Sequence, residues 1–212
     1  MPPTEHLLTF TLTAMVIIGV PGPSVLFVVT RSLTLGRRAG VATVVGNASG
    51  VYVQVLGVAF GLGALVERSV EVFTAIKLVG AAYLVMLGVR SFRHRRALAD
   101  ALDVPVSPKT LRRILRDGFV VGLANPKSIV FFAAVLPQFV DRGAGHVPQQ
   151  LLVLGAIFFL IALVSDSLWA VAAGTAREWL VRSPRRLSAI GGAGGITMMG
   201  IGAGLALTGR KD

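Results

Sequence analysis

Residues 122–128 read Gly122-Leu123-Ala124-Asn125-Pro126-Lys127-Ser128, and they interrupt a run of apolar residues long enough to cross a membrane. Pro126 removes a backbone hydrogen bond and therefore kinks or breaks a helix at this point. Lys127 carries a charge near the middle of the run, where inserting a lysine costs about 2.5–3.5 kcal/mol. A proline, an amide and a lysine at this depth predict a functional break rather than a plain membrane span.

A second apolar run is interrupted at the corresponding place, at an offset of 103 residues. It reads Gly19-Val20-Pro21-Gly22-Pro23-Ser24, so that Pro23 pairs with Pro126 and Gly19 with Gly122. A single proline in a membrane helix is more often a structural kink. Two prolines flanking a glycine, matched by a second break in the other half, favour a cavity at the centre of a secondary transporter.

The composition limits the classes of protein that need to be considered. The chain has 212 residues, of which 54% are hydrophobic and only 15% are charged, so it is far more apolar than a soluble domain. Cysteine is absent, which excludes disulfides, thiolate metal sites and thiol catalysis. The net charge of +11 raises the question of nucleic-acid binding, but the basic residues border apolar runs. We expect no nucleic-acid partner, no cofactor and no bound metal.

Six apolar runs are long enough to span a bilayer, which needs roughly 20 residues per helix. The runs are Leu7–Thr30, Ala39–Val66, Val70–Val89, Gly118–Val140, Val147–Thr175 and Leu187–Leu207. They predict an all-α integral membrane protein with six transmembrane helices, in which helices 1 and 4 are broken at proline and glycine. The first run lacks the basic start of a cleavable signal peptide, so we expect it to be retained.

The basic residues between the runs predict the orientation. Fifteen of the 21 lysines and arginines lie in the connections between runs 1 and 2, 3 and 4, and 5 and 6, whereas four lie on the other side. The positive-inside rule therefore puts these three connections in the cytoplasm and both termini outside. The longest connection, about residues 90–116, divides a single transporter domain (1–212) into repeats of about 1–92 and 117–212. Three helices per half predict two inverted three-helix repeats.

The residues at the second break have the chemistry to bind an anion. Asn125 can bond a freed backbone group or a polar ligand, and Lys127 offers three donors and a positive charge. The half-helix that begins at Pro126 points its N-terminal amides toward the break, which also favours an anion. These groups could hold a substrate carboxylate. The alternative is that Lys127 snorkels to the interface or pairs inside the protein.

Asp166 is the only acidic residue within the last three runs. A carboxylate in lipid is protonated or paired, and Lys127 is its expected partner. Such a pair could exchange a proton during transport, or Asp166 could bind a substrate ammonium. A fixed structural ion pair explains the two residues equally well.

Polar and small residues on two other helices are open to more than one interpretation. Asn47 and Gln54 share a face of the second helix and could contact substrate or another helix. Gly46 and Gly50 have the G-x-x-x-G spacing that indicates close helix packing. The last run is also rich in glycine, which predicts close packing within the fold or against a second protomer.

The motifs together resemble the LysE/RhtB family of amino-acid exporters over essentially the whole chain. The resemblance lies in Pro21-Gly22-Pro23 followed by Ser24, in Asn125-Pro126-Lys127, and in Asp166 with an aromatic residue shortly after it. It implies efflux of amino acids or their derivatives, driven by an ion gradient and carried out by a homodimer. It also implies that the two motifs lie near the translocation path. The substrate itself does not carry over, because family members handle basic, neutral and hydrophobic amino acids.

We therefore expect a secondary active exporter in which Lys127 and the half-helix amides bind the substrate carboxylate. Asp166 is expected either to couple transport to H⁺ or to bind the substrate amine. Asn47 is expected to line the translocation path. The expected partners also include membrane lipid. A divalent metal-ion exporter is an alternative, but it needs His, Cys or clustered carboxylates, which the runs lack; an exporter of another small metabolite also stays open. A membrane-embedded enzyme needs a nucleophile with its base, and no G-x-S-x-G or H-E-x-x-H motif occurs.

Overall fold

The computed structural model describes residues 3–62, 70–96, 100, 109–141 and 143–207. Its helices are α1 (Thr4–Gly19), α2 (Pro23–Leu35), α3 (Arg37–Gly57), α4 (Val70–Arg93), α5 (Leu111–Leu123), α6 (Pro126–Ala134), α7 (Val147–Thr175), α8 (Arg177–Val181) and α9 (Pro184–Leu207). A π-helical turn, Val58–Leu62, continues α3, and a 3-10 turn, Leu136–Phe139, follows α6. These described ranges contain no strand, which confirms the predicted all-α class.

Both predicted helix breaks are present. α1 and α2 meet at an angle of 53°, and α5 meets the segment Pro126–Phe139 at 44°. Each second half-helix begins with a proline at its first turn, Pro23 in α2 and Pro126 in α6. Proline is favoured there because its missing N–H has no partner in the first turn of a helix anyway.

The helices support a protein that crosses the membrane several times. Three helical segments are long and apolar enough to span it, namely Arg37–Gly61, α7 and α9, and the two bent pairs raise the total to five if each pair is one span. α4 corresponds to the predicted third run but is not among these five, and some of its side chains lie outside the described residues. Six spans and two inverted repeats therefore stay predictions. Most of the predicted connection 90–116, with Pro105 and Pro108, also lies outside the described residues.

Several helix boundaries differ from the predicted runs. α5 begins at Leu111, well before the predicted Gly118, and α2 continues to Leu35, beyond the predicted Thr30. The extra turns carry arginines, which interrupt an apolar run without interrupting a helix.

Four glycines bring the backbones of α3 and α5 into contact. Gly46 and Gly50 lie on α3, and Gly118 and Gly122 lie on α5; a Cβ at any of the four would collide with the backbone of the other helix. At Gly122 the collision would be with the carbonyl of Asn47. The predicted G-x-x-x-G packing of α3 is therefore confirmed, and it fixes where Asn47 lies relative to the second break.

The glycines of the last helix pack within the protomer. A Cβ at Gly195 would lie 2.7 Å from the carbonyl oxygen of Gly88 in α4, and Gly202 also approaches the α4 backbone. On another side of α9, Gly194 lies against the carbonyl of Pro21 at the first break. Of the two predicted uses of this glycine-rich helix, the structure supports packing within the fold; the homodimer stays a prediction.

Buried aromatic rings pack α1, α6 and α7 beside the two breaks. The ring of Phe158 lies 5.1 Å from that of Phe131 and 4.8 Å from that of Phe132, and Phe10 lies 5.9 Å from Phe131. All four rings are buried, so each contributes apolar burial together with favourable ring geometry. This cluster forms the apolar side of the region where the breaks meet.

Candidate functional site

The two helix breaks meet at a small buried cavity of about 30 Å³. Its polar wall is formed by Ser24, Asn47, Asn125, Lys127, Ser128 and Asp166. Its apolar wall is formed by Ile17, Ile18, Val25, Val51, Phe158 and Ala162. The fold thus brings together four of the eight residues predicted for the site: Asn47, Asn125, Lys127 and Asp166. The other four, Pro21, Gly22, Pro23 and Pro126, shape the breaks and are not part of the cavity wall.

Asn125 fixes the second break and ties it to the first. It is the N-cap of α6, where its Oδ1 accepts a hydrogen bond from the backbone N–H of Lys127 at 3.2 Å. Its Nδ2 donates to Oγ of Ser24 on α2, also at 3.2 Å. The Ser128 hydroxyl donates to the Asn125 carbonyl oxygen at 3.0 Å. Asn125 therefore uses both ends of its amide to hold the N-terminus of α6 against α2.

Lys127 reaches across from the second break to the backbone of the first. It is buried, and its Nζ donates to the carbonyl oxygen of Val20 at 2.8 Å. Pro23 cannot donate a helical hydrogen bond to the carbonyl of Gly19, and the carbonyl that Lys127 satisfies belongs to the next residue, Val20. A Cβ at Gly22 would lie only 3.3 Å from Cδ of Lys127, so glycine at that position leaves room for the lysine stem.

Gln54 satisfies the carbonyls freed at the second break. Its Nε2 donates to the carbonyl oxygens of Gly122 at 2.9 Å and Leu123 at 2.8 Å. Pro126 cannot donate to Gly122, whose carbonyl instead accepts from this side chain of α3 and from the Asn125 N–H at 3.1 Å. Of the two interpretations open for Gln54, interhelical bonding is the one that the structure supports.

Asp166 and Asn47 leave two hydrogen-bond acceptors unused beside the cavity. Asp166 is 4% exposed and Asn47 is 2% exposed. Their only mutual bond, from Asn47 Nδ2 to Asp166 Oδ2, is long at 3.5 Å. Oδ1 of Asp166 and Oδ1 of Asn47 have no hydrogen-bond partner among the described residues. Because a buried unsatisfied polar group costs about 1–3 kcal/mol, these two oxygens suit a ligand that brings N–H donors, such as an ammonium group.

Lys127 and Asp166 face the same cavity without a direct ion pair. The ion pairs within 4.0 Å in the described part of the chain join other residues. The expected close ion pair is therefore not formed in this conformation, in which the Lys127 ammonium is hydrogen-bonded to the carbonyl oxygen of Val20. The Lys127 ammonium and the Asp166 carboxylate therefore do not neutralise each other directly. Each is left to bind the opposite charge of a molecule that carries both an ammonium and a carboxylate.

The cavity is too small for such a molecule in this conformation. At about 30 Å³ it has room for about two water molecules. An amino acid can enter only after the walls move apart. The 53° and 44° bends beside the cavity are the positions where the helices already depart from regular geometry.

Eight wall residues were absent from the predicted site: the two serines, Ser24 and Ser128, and the six residues of the apolar wall. Ser24 directly follows Pro23, and Ser128 lies two residues after Pro126, so their closeness to the prolines is a signal that could have identified them. Phe158 carries no such signal, because in sequence it is an ordinary apolar residue of a long helix. Only the three-dimensional packing of α7 against α6 brings it to the cavity.

Metal coordination has no obvious ligand set in the described part of the chain. No group of three or more His, Asp or Glu side chains comes together there in a geometry that could hold an ion. The structure therefore adds no support to the alternative of a metal-ion exporter.

Membrane-length helices, two helix pairs bent at proline breaks and a buried charged cavity between the breaks are the features of a multi-pass membrane transporter. The chain belongs to the LysE type translocator family, whose profile matches residues 15–209. This confirms the family resemblance carried by the two break motifs and Asp166.

Several relatives match over nearly their whole length. The chain is 37% identical over 201 residues to an uncharacterized membrane protein of Vibrio cholerae, covering 94% of this chain and 95% of the relative. It is 34% identical over 203 residues to a homoserine/homoserine lactone efflux protein of Salmonella typhimurium, covering 95% and 94%. It is 29% identical over 202 residues to a leucine efflux protein of an Enterobacter species, covering 93% of each. No solved structure matches the chain.

Proposed function

We propose that the protein is a secondary active exporter of amino acids or amino-acid derivatives across the bacterial inner membrane, driven by an ion gradient with H⁺ as the coupling ion. Membership of the LysE type translocator family and the efflux proteins for homoserine and leucine among its relatives support this proposal. The observation that carries it is the pair of opposite charges, Lys127 and Asp166, on one buried cavity between two helix breaks.

The two charges match the two ends of an amino acid. The substrate carboxylate binds the Lys127 ammonium and the backbone amides at the start of α6, where the helix dipole favours an anion. The substrate ammonium binds Oδ1 of Asp166 and Oδ1 of Asn47, which are the two unused acceptors. Hydrogen bonds between two charged groups are shorter and stronger than those to a neutral carbonyl. A bound carboxylate therefore competes with Val20 for Lys127.

That competition links binding to movement. While Lys127 is bonded to Val20, the second break holds the first. A substrate carboxylate that binds the Lys127 ammonium removes this hydrogen bond between the breaks. The substrate shifts the conformational equilibrium only to the extent that it binds the conformation without the Lys127–Val20 bond more tightly than the conformation with it. The prolines and glycines at the breaks provide the flexing points.

In the full proposal, six spans form two inverted three-helix repeats with both termini outside. The protein acts as a homodimer by alternating access.

Asp166 is the proposed site of proton coupling. It is a carboxylate in the middle of the long helix α7, it is buried, and it faces a cation across the cavity. Gain of a proton removes its charge and weakens its hold on a substrate ammonium. Proton binding and substrate binding at Asp166 therefore oppose each other, which is the requirement for exchange of H⁺ against substrate.

Export of labelled amino acids from loaded cells or inverted vesicles tests the proposal, with wild type compared with Lys127→Ala. The matched control is Arg112→Ala, which removes an exposed positive charge from α5. We expect saturable export of one amino-acid class by wild type and by the control, and loss of that export in Lys127→Ala at equal membrane insertion. Failure of wild type to move any protein amino acid would overturn the substrate class. Full export by Lys127→Ala would overturn the site.

A further inference from the structure

A second and much larger cavity, which does not include Lys127, lies between the end of α4 and the beginning of α9. This groove has a volume of about 640 Å³. Its charged rim is formed by Arg95, Arg96, Asp100 and Arg185. Small residues of α9, among them Gly192 and Ala193, form its floor and leave the space open. No function assigned above uses this groove.

The rim carries three guanidinium groups and one carboxylate. In the described part of the chain, no ion pair within 4.0 Å involves Arg95, Arg96 or Arg185. Arg95 lies over the ring of Phe92, 4.9 Å from its centre, and one of its N–H groups donates to the Phe92 carbonyl. Guanidinium groups bind phosphate through paired hydrogen bonds, and the net positive charge of the rim favours an anion.

The remaining wall is apolar and opens toward the outer surface of the helices. Phe92, Ala193 and Ile196 line it, and Ile196 is 56% exposed. A soluble anion such as inorganic phosphate would contact only the charged rim and leave this apolar wall uncovered. A molecule with a phosphate head and a hydrocarbon tail covers both parts of the groove at once.

We propose that this groove binds an anionic phospholipid, with the phosphate held by Arg95 and Arg185 and an acyl chain lying along Ala193 and Ile196. The groove lies at the end of the molecule where the sequence concentrates its basic connections. Anionic lipid headgroups are drawn to basic pockets between helices on that side of a membrane. The site does not depend on which substrate the central cavity transports.

Native mass spectrometry of the full-length protein with phosphatidylglycerol and phosphatidylcholine vesicle lipids tests this proposal. The test variant is the double substitution Arg95→Ala/Arg185→Ala. The control is Arg93→Ala/Arg182→Ala, which removes the same charge from neighbouring positions outside the groove wall. We expect wild type and control to retain phosphatidylglycerol in preference to phosphatidylcholine, and the test variant to lose at least about tenfold in apparent affinity for it.

A second variant separates the groove from general surface charge. Ala193→Trp fills the apolar floor without changing any charge, and we expect it to lower phosphatidylglycerol binding as well. Equal loss in the Arg93/Arg182 control would overturn the proposal, because surface charge alone would then explain binding. Absence of a preference for phosphatidylglycerol in wild type would also overturn it. Equally tight binding of inorganic phosphate would identify a soluble-anion site and contradict the lipid assignment.

Discussion

Nζ of Lys127 lies 2.8 Å from the carbonyl oxygen of Val20, so a side chain from the second helix break holds the backbone of the first. The hydrogen bond from Asn125 to Ser24, at 3.2 Å, joins the same two breaks. Residues about a hundred positions apart in sequence therefore form one unit at the centre of the molecule. A substitution in either break is therefore expected to alter the conformation of the other break.

Gln54→Ala is expected to destabilise the second break. The substitution leaves the carbonyls of Gly122 and Leu123 without their side-chain donor. A hydrogen bond between membrane helices contributes about 0.6 kcal/mol, and at most about 1.7 kcal/mol, so the loss of two bonds should lower the thermal midpoint measurably. The matched control is Ser49→Ala, whose hydroxyl is exposed and bonds only within its own helix. Thermal unfolding in detergent measures both variants, and equal midpoints would contradict the assigned role of Gln54.

Asn125 and Ser24 are expected to be energetically coupled. Asn125→Ala removes the N-cap of α6, which costs about 1 kcal/mol, and also the bond to Ser24. Ser24→Ala removes only that bond. We therefore expect the double variant to lose less free energy of unfolding than the two single losses added together, by about 0.6 kcal/mol. Reversible unfolding in mixed micelles measures the four proteins of the cycle, and strictly additive losses would mean that the two breaks are not linked through this bond.

Gly122→Ala is expected to separate α3 from α5. The added Cβ would overlap the carbonyl of Asn47, so the helices must move apart and carry Asn47 away from the cavity. Gly57→Ala is the control, because a Cβ at Gly57 meets no atom within 4 Å. We expect Gly57→Ala to behave as wild type in folded yield and export, and Gly122→Ala to lose most of both. Wild-type yield for Gly122→Ala would show that the two helices are not packed as closely as the structure has them.

The helix breaks and the charged site residues are predictable from the sequence because their causes are local. Proline breaks a helix wherever it occurs in its interior, so Pro23 and Pro126 identify the bends directly. A charge inside an apolar run must be buried against protein or face a cavity, which identifies Lys127 and Asp166. These local rules identify the bends and the charged residues, but they do not predict that the residues meet at one cavity.

The partners of those residues are not predictable in the same way, because they depend on how helices cross. The carbonyl of Val20 and the side chain of Asp166 are both reasonable partners for Lys127, and only the position of the first break beside α6 selects the carbonyl. The role of Gln54 likewise depends on the register between α3 and α5. The start of α5 at Leu111 was not predicted, because the arginines in its first turns end the apolar run from which the helix was predicted.

Asp166→Asn is expected to abolish proton coupling. In proteoliposomes loaded with substrate, an acidic outer medium should accelerate efflux by the wild type, because H⁺ entry drives substrate exit. The amide keeps the shape of the side chain but can neither gain nor lose a proton, so efflux by Asp166→Asn should not respond to the pH gradient. The control, Asp117→Asn, removes a carboxylate that is paired with Arg31 and Lys109 away from the cavity, and it should keep the response. Wild-type efflux that responds to a Na⁺ gradient and not to pH would contradict H⁺ coupling.

The most direct test of the central claim measures binding to the purified protein, and compares the best exported amino acid with its amino-alcohol analogue, which lacks the carboxylate. If Lys127 binds the carboxylate, wild type should prefer the amino acid by at least about tenfold, as expected for a charge-assisted hydrogen bond. In Lys127→Ala this preference should disappear, because the group that distinguishes the two compounds is gone. An equal preference in wild type and Lys127→Ala would mean that the carboxylate is bound elsewhere, and would contradict the proposed site.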